Sequence, residues 1–155
     1  MTAPDRPHRD QDDASLSIAA HFEVEIDGTC VSCARVRGLE LAADIDTLTH
    51  EQDPEDAERV LWSAPAEPGR LVLTRALDGD RTLYGWRREA LSGKPAVRQV
   101  TVQHLDRADG EVLHEWRLTS AWPVRWSGPD YDALHGGIAF EELELVFHDL
   151  IWLGA

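Results

Sequence analysis

The sequence predicts a mainly β fold of the α+β class, a small antiparallel β-barrel or sandwich with one flanking α-helix. Three observations predict it. Short stretches in which apolar and polar residues alternate recur from Phe22 to the C-terminal end, which is the period-two pattern of half-buried strands. Turn signals, Asp27-Gly28, Asp78-Gly79 and Asp109-Gly110, separate these stretches. Only one segment carries a helical stripe: Leu83, Trp86, Ala90 and Leu91 fall at i, i+3, i+7 and i+8.

A chain of 155 residues fits one domain and can bury roughly 70% of the surface its unfolded form exposes. It is 43% apolar and 28% charged, a globular balance. Twenty-nine acids against fifteen bases give a formal charge of −14, which disfavours binding to nucleic acid. No apolar run reaches the roughly 18 residues of a membrane span. The first twenty residues lack the apolar stretch of a signal peptide, so synthesis in the cytoplasm is expected.

Residues 2–15 are polar and without periodicity, so residues 1–20 read as a flexible extension and 21–155 as the domain. Phe22, Val24 and Ile26 alternate with Glu23 and Glu25 before the Asp27-Gly28 turn. The run 29–36 follows, then, past Arg37-Gly38, the run 39–45, and together they predict an opening meander. From Asp44 to Glu58 there are seven acids and no Lys or Arg. Asp44-Ile45-Asp46 lacks the Gly and the closing Glu of a calcium loop, which leaves a solvated loop. Leu71, Val72 and Leu73 form a short strand ended by Asp78-Gly79-Asp80, with Asp80 placed to cap the helix and Gly93 to stop it. Strands at 97–105 and 112–119 flank Asp109-Gly110, the second with Val112, His114, Trp116 and Leu118 on one face. In the last strand Ile138 and Phe140 share one phase while Leu143, Leu145 and Phe147 share the other. The slip at Glu141-Glu142 predicts a β-bulge.

Chemistry-bearing patterns are few. Cys30 and Cys33 form a C-x-x-C without a second pair, and on a strand an odd separation sends the thiols to opposite faces. Two structural residues are expected there, and no metal. Leu134-His135-Gly136-Gly137 resembles the His-Gly-Gly of esterase oxyanion loops, but no Gly-x-Ser-x-Gly supplies a nucleophile. Asp130, Asp132, Glu141, Glu142 and Glu144 could serve acid–base work, although alternating acids on a strand usually form its wet face. His114 has no ligand partner at a fixed spacing. Phosphate-loop, zinc and dinucleotide patterns are absent. No catalytic residue and no cofactor are expected. Trp116, Trp122 and Trp126, with Pro123 between the last two, read as a dense aromatic cluster serving a core or, preferably, a subunit interface.

The order of motifs resembles a known family. Phe22-Glu-Val-Glu-Ile-Asp27, Val36-Arg-Gly-Leu-Glu40, Pro68-Gly69 before Leu71-Val-Leu-Thr-Arg75 and Leu83-Tyr-Gly-Trp86 come first. Val100-Thr-Val-Gln-His-Leu-Asp106, Val112-Leu-His-Glu-Trp116, Ala121-Trp-Pro-Val124 and Gly137-Ile-Ala-Phe-Glu-Glu-Leu-Glu-Leu145 follow. Across about residues 21–150 this is similar to the phage tail tube family, including inner-tube proteins of contractile injection systems. The resemblance implies a structural subunit, not an enzyme. It further implies hexameric rings stacked around a channel for protein cargo, with neighbouring rings, sheath and baseplate proteins as partners. After its cytoplasmic synthesis the chain would become part of the assembled injection particle.

The segment around Asp53, Glu55, Asp56 and Glu58 departs from the family's Gly-rich loop, which implies that these four residues meet the adjacent ring. A specialised ring that starts the tube or lies beside the baseplate is therefore an alternative. A small acidic module holding a ligand between its Trp residues is another, of a different class.

Overall fold

The computed structural model describes residues 19–41 and 67–154. Most of the N-terminal extension, residues 42–45 of the third predicted strand, and the acidic segment with Asp53, Glu55, Asp56 and Glu58 lie outside the described residues.

Strands β1 (Phe22–Ile26) and β2 (Thr29–Val31) pair as a hairpin across Asp27-Gly28. Both turn residues take positive φ, 49° and 77°, as a two-residue type I′ turn requires. Asp27 also fastens the tip to a neighbouring strand. Its N–H donates to the Gln99 carbonyl at 3.0 Å, and its Oδ1 accepts from the Gln99 N–H at 2.9 Å.

The predicted meander does not continue. Strand β3 (Arg35–Arg37) pairs with β4 (Gly69–Ala76) rather than with β2, and residues 39–41 are not strand. The Ala34 N–H donates to the Thr74 carbonyl at 2.7 Å, so the chain crosses to the far end of the sheet just after β2. Val31, buried on β2, and Val36, half-buried on β3, pack on the same core. The crossing lets one short stretch cover that core from two sides, which a hairpin could not do.

Helix α1 (Thr82–Leu91) follows the Asp78-Gly79-Asp80 turn. Asp80 acts one position earlier than a standard cap: Arg81 is the N-cap, and Asp80 Oδ1 accepts from the Thr82 N–H at 2.8 Å and the Thr82 hydroxyl at 2.6 Å. Ser92 and Gly93 end the helix. Leu83 and Trp86 are buried and Ala90 packs on the core, but Leu91 is 59% exposed, so the apolar stripe is narrower than its spacing predicts. The Trp86 Nε1–H donates to the Ala96 carbonyl at 2.6 Å, and the Arg98 guanidinium lies 5.2 Å from the Trp86 ring centroid.

Four strands complete the sheet: β5 (Arg98–Leu105), β6 (Val112–Ser127), β7 (Phe140–Phe147) and β8 (Asp149–Gly154). Among the described residues the order is β2-β1-β5-β6-β7-β4-β3, with β8 also pairing with β6. β6 runs well past the predicted end near Thr119. Ser120, at φ 51°, absorbs one extra residue where pairing with β5 slips between Val100↔Leu118 and Arg98↔Ala121. Along its other edge β6 meets β8 and then β7, and the His148 N–H donates to the Thr119 carbonyl at 3.1 Å where those two adjoin. Buried residues of β1, β2, β4, β5, β6, β7 and α1 form a single apolar cluster. The sheet thus folds over one core, with α1 against β6 and β7.

The predicted bulge at Glu141-Glu142 is not there. β4 and β7 pair without a break from Gly69↔Phe147 to Ala76↔Phe140. Glu141, 1% exposed, occupies the core phase together with Leu143, Leu145 and Phe147. A buried carboxylate inside an apolar row mimics a slipped register. Ile138, 72% exposed, lies before the strand. The irregularity facing β7 lies instead on β6, between Pro123 and Arg125.

Candidate functional site

The buried carboxylate belongs to a chain of polar contacts. Arg75, 2% exposed at its side chain, donates from Nη1 to Asp80 Oδ2 at 2.8 Å and from Nη2 to Asp78 Oδ1 at 2.6 Å. Its Nε lies 3.7 Å from Glu141 Oε1, beyond hydrogen-bond range, and both of those atoms lack a hydrogen-bond partner. Glu141 Oε2 accepts from the Trp126 indole N–H at 2.7 Å. Arg75 therefore ties the turn before α1 to β7, and Glu141 fixes the Trp126 ring on β6. Both side chains are buried, so these contacts position the turn before α1 and the Trp126 ring.

The three predicted tryptophans all lie on β6, but among the described residues no ring pair joins any two of them. Trp116 stacks on Trp152 with centroids 6.4 Å apart and planes 16° apart, and His114 packs beside both. Trp122 packs on His148 at 5.7 Å, and Trp126 meets Tyr84 of α1 edge-on at 5.1 Å. Trp116 and Trp126 also pack on the core, and all three are half-buried. The dense cluster predicted from sequence proximity is spread along a long strand.

Trp152 is the aromatic that sequence reasoning missed. It is 65% exposed on β8, flanked by Ile151 and Leu153, also exposed. Among the described residues β8 pairs only with β6, β2 only with β1 and β3 only with β4. Among the described residues three strands thus end the sheet with an edge that no other strand pairs, and on β8 that edge carries a run of exposed apolar side chains, a combination single domains avoid. The apolar Leu150-Ile151-Trp152-Leu153 run was the available signal.

Of the acids proposed as a wet face, Glu142 and Glu144 are half-buried and face Arg37 and Arg70, while Glu141 turns inward. Asp132 accepts at Oδ1 from the Leu134 and His135 N–H groups, and its Oδ2 lies 2.8 Å from His135 Nδ1. His135 beside it holds the Asp132 carboxyl below its usual range. These contacts close an exposed loop on itself. Among the described residues no group of three or more His, Cys, Asp or Glu is placed to hold a metal.

Cys30 is exposed on β2, and Cys33, two residues beyond the strand's end, packs against the core. Burial pushes the Cys33 thiol up to about 11, against a smaller lowering by Arg75. The thiolate is the reactive form, so iodoacetamide at mildly alkaline pH should label Cys30 in the native protein and Cys33 only after denaturant is added. Mass spectrometry of the labelled peptides checks this, and equal native labelling of both would contradict it.

Comparison with known proteins decides the family. Residues 18–151 match T4-like virus tail tube protein gp19. The chain belongs to that tail tube family. It is accordingly a structural tube subunit and not an enzyme. A search of curated proteins finds no match. Among solved structures, this tail tube protein is similar to a chain of the PVC extracellular contractile injection system sheath-tube complex in its extended state. That match has 19% identity and a TM-score of 0.77, and covers 92% of this chain and 94% of the other. A chain of the anti-feeding prophage baseplate matches at 23% identity and TM-score 0.62, over 99% and 98% of the two chains. Hcp1 from Flavobacterium johnsoniae matches at 16% identity and TM-score 0.59, over 86% and 95%. At such identities these likenesses establish a shared fold, the mainly β tail tube fold with one helix.

Proposed function

We propose that this tail tube protein forms six-membered rings that stack into the inner tube of a contractile injection particle, enclosed by sheath, seated on a baseplate and open to protein cargo. The chain would be made in the cytoplasm and then built into the particle. The observation that carries the ring is the free β8 edge with Ile151, Trp152 and Leu153 exposed on a tube-family chain. A ring needs two unlike surfaces that close by rotation, and the free edges of β2 and β3 offer complementary backbone groups. The half-buried Trp116, stacked beneath Trp152, would stiffen that contact.

Replacing Ile151 and Trp152 by Lys should abolish rings in electron micrographs and leave a folded monomer in sedimentation, because both side chains are at least 39% exposed. Persisting rings of the double variant would move the interface elsewhere. A wild type that stays monomeric even with sheath and baseplate partners would remove the proposal.

The acidic segment supports a role in choosing the adjacent ring, and a specialised ring at one end of the tube is the reading it favours. Seven acids between Asp44 and Glu58, set against the same segment of an identical ring, would repel, and salt would screen the repulsion. Tubes of this chain alone should lengthen as ionic strength rises. With Asp53, Glu55, Asp56 and Glu58 changed to Asn or Gln, they should already be long at low salt. Equal lengths for both proteins at every salt concentration would reduce the segment to solvated surface.

A further inference from the structure

In a chain with an excess of acids, an arginine has many carboxylates to pair with. Arg37, Arg70, Arg75, Arg98 and Arg117 each lie within 3.5 Å of one. Arg35, Arg81, Arg87, Arg88, Arg107 and Arg125 make no ion pair among the described residues, and of these Arg87, Arg88 and Arg125 line the same groove of about 300 Å³ between α1 and the second half of β6. Arg125 also lines a second groove with Glu142 and Glu144, but both acids are engaged: its cross-strand neighbour Glu144 by Arg70, and Glu142 by Arg37 and the Thr74 hydroxyl. On the helix, Glu89 is drawn away to Arg98 at 2.6 Å. Arg87 donates to the Pro123 carbonyl at 3.4 Å, which holds its guanidinium over β6.

The groove also has apolar walls. Tyr84 and Trp126 pack edge-on at one side, Leu91 is 59% exposed at another, and Val124 lies between. The Trp126 ring cannot turn freely, because its N–H is committed to the buried Glu141 at 2.7 Å. Positive charge above a fixed apolar wall suits a segment that brings carboxylates together with an apolar anchor, since guanidinium forks pair well with carboxylates. We propose that this groove is a docking site for an acidic segment of another protein, with its apolar anchor against Trp126 and Leu91 and its carboxylates on Arg87, Arg88 and Arg125. Nucleic acid is the poorer fit, because the net charge of −14 repels a long polyanion that cannot confine its charge to the groove. The proposal stands apart from the proposed ring contact, which rests on Ile151, Trp152, Leu153 and Trp116.

The test uses the full chain and a fluorescent peptide of Glu and Asp carrying one Leu and one Phe. Anisotropy should show saturable binding that weakens with salt. It should weaken about tenfold or more in a variant with Arg88→Glu and Arg125→Glu, both exposed positions that leave the fold intact by circular dichroism. Leu91→Ser should weaken it by a smaller factor, and a Lys-for-acid peptide should not bind. Unchanged binding in the double arginine variant, absence of binding by the wild type, or equal binding of a single-stranded oligonucleotide would each overturn the proposal. So would a marked gain in peptide affinity on neutralising Asp53, Glu55, Asp56 and Glu58, which would make the chain's own acids the occupant.

Discussion

Arg75→Ala should lower the unfolding free energy by about 3–5 kcal/mol, the range for removing one partner of a buried ion pair. The substitution leaves Glu141, 1% exposed, without its nearest cation, and frees Asp78 and Asp80 from the guanidinium that holds the turn before α1. Urea denaturation followed by tryptophan fluorescence measures the loss. Adding Glu141→Leu to Arg75→Met should recover most of it, because an apolar pair of similar volume removes the stranded charge. A loss below about 1 kcal/mol for Arg75→Ala, the worth of an exposed pair, would show that water reaches Glu141.

The same network gives the acid limb a definite sign. Hydrogen bonds from the Thr82 hydroxyl and N–H, then from Arg75, lower the Asp80 carboxyl from 3.8 to about 2. The stability this contributes is present above pH 3.8 and is lost as pH falls through about 2. Its size is less than the shift alone suggests, since that carboxylate is 45% exposed.

Gly38→Ala is the second large effect, at about 2–4 kcal/mol of destabilisation. Gly38 sits at φ 95°, and a Cβ there would lie 2.1 Å from the Arg70 carbonyl oxygen. Relief requires β3 to move away from β4, because both clashing partners are backbone. Gly85→Ala in mid-helix meets open space and should instead stabilise by about 0.5–1 kcal/mol. Thermal melts of the two variants should move in opposite directions. Similar shifts would mean that β3 is held too loosely for the close approach to matter.

Features written into consecutive residues were legible in the sequence. The Asp27-Gly28 turn, the start of α1 just after Asp80 and the shared phase of His114, Trp116 and Leu118 each follow from local geometry. What failed depended on distant partners. Nothing near Arg35 says that it will pair with Thr74 rather than continue a meander. Glu141 reads as a wet-face residue because its reasons for burial, Arg75 and Trp126, lie 66 and 15 residues away. The three tryptophans share a strand, but the bulge at Ser120 and the length of β6 separate their rings. The free β8 edge became visible only when the strand order was known.

β6 gives the subunit a mechanical character. One unbroken backbone passes from the β5 side of the fold to the β7 side, and residues 140–154 run antiparallel along it with only His148 between β7 and β8. The two ends of the sheet therefore have no seam along which they can part. Tension along that ribbon loads many hydrogen bonds in shear at once instead of opening them one after another, and α1, seated against β6 and β7, braces the same ribbon from the side.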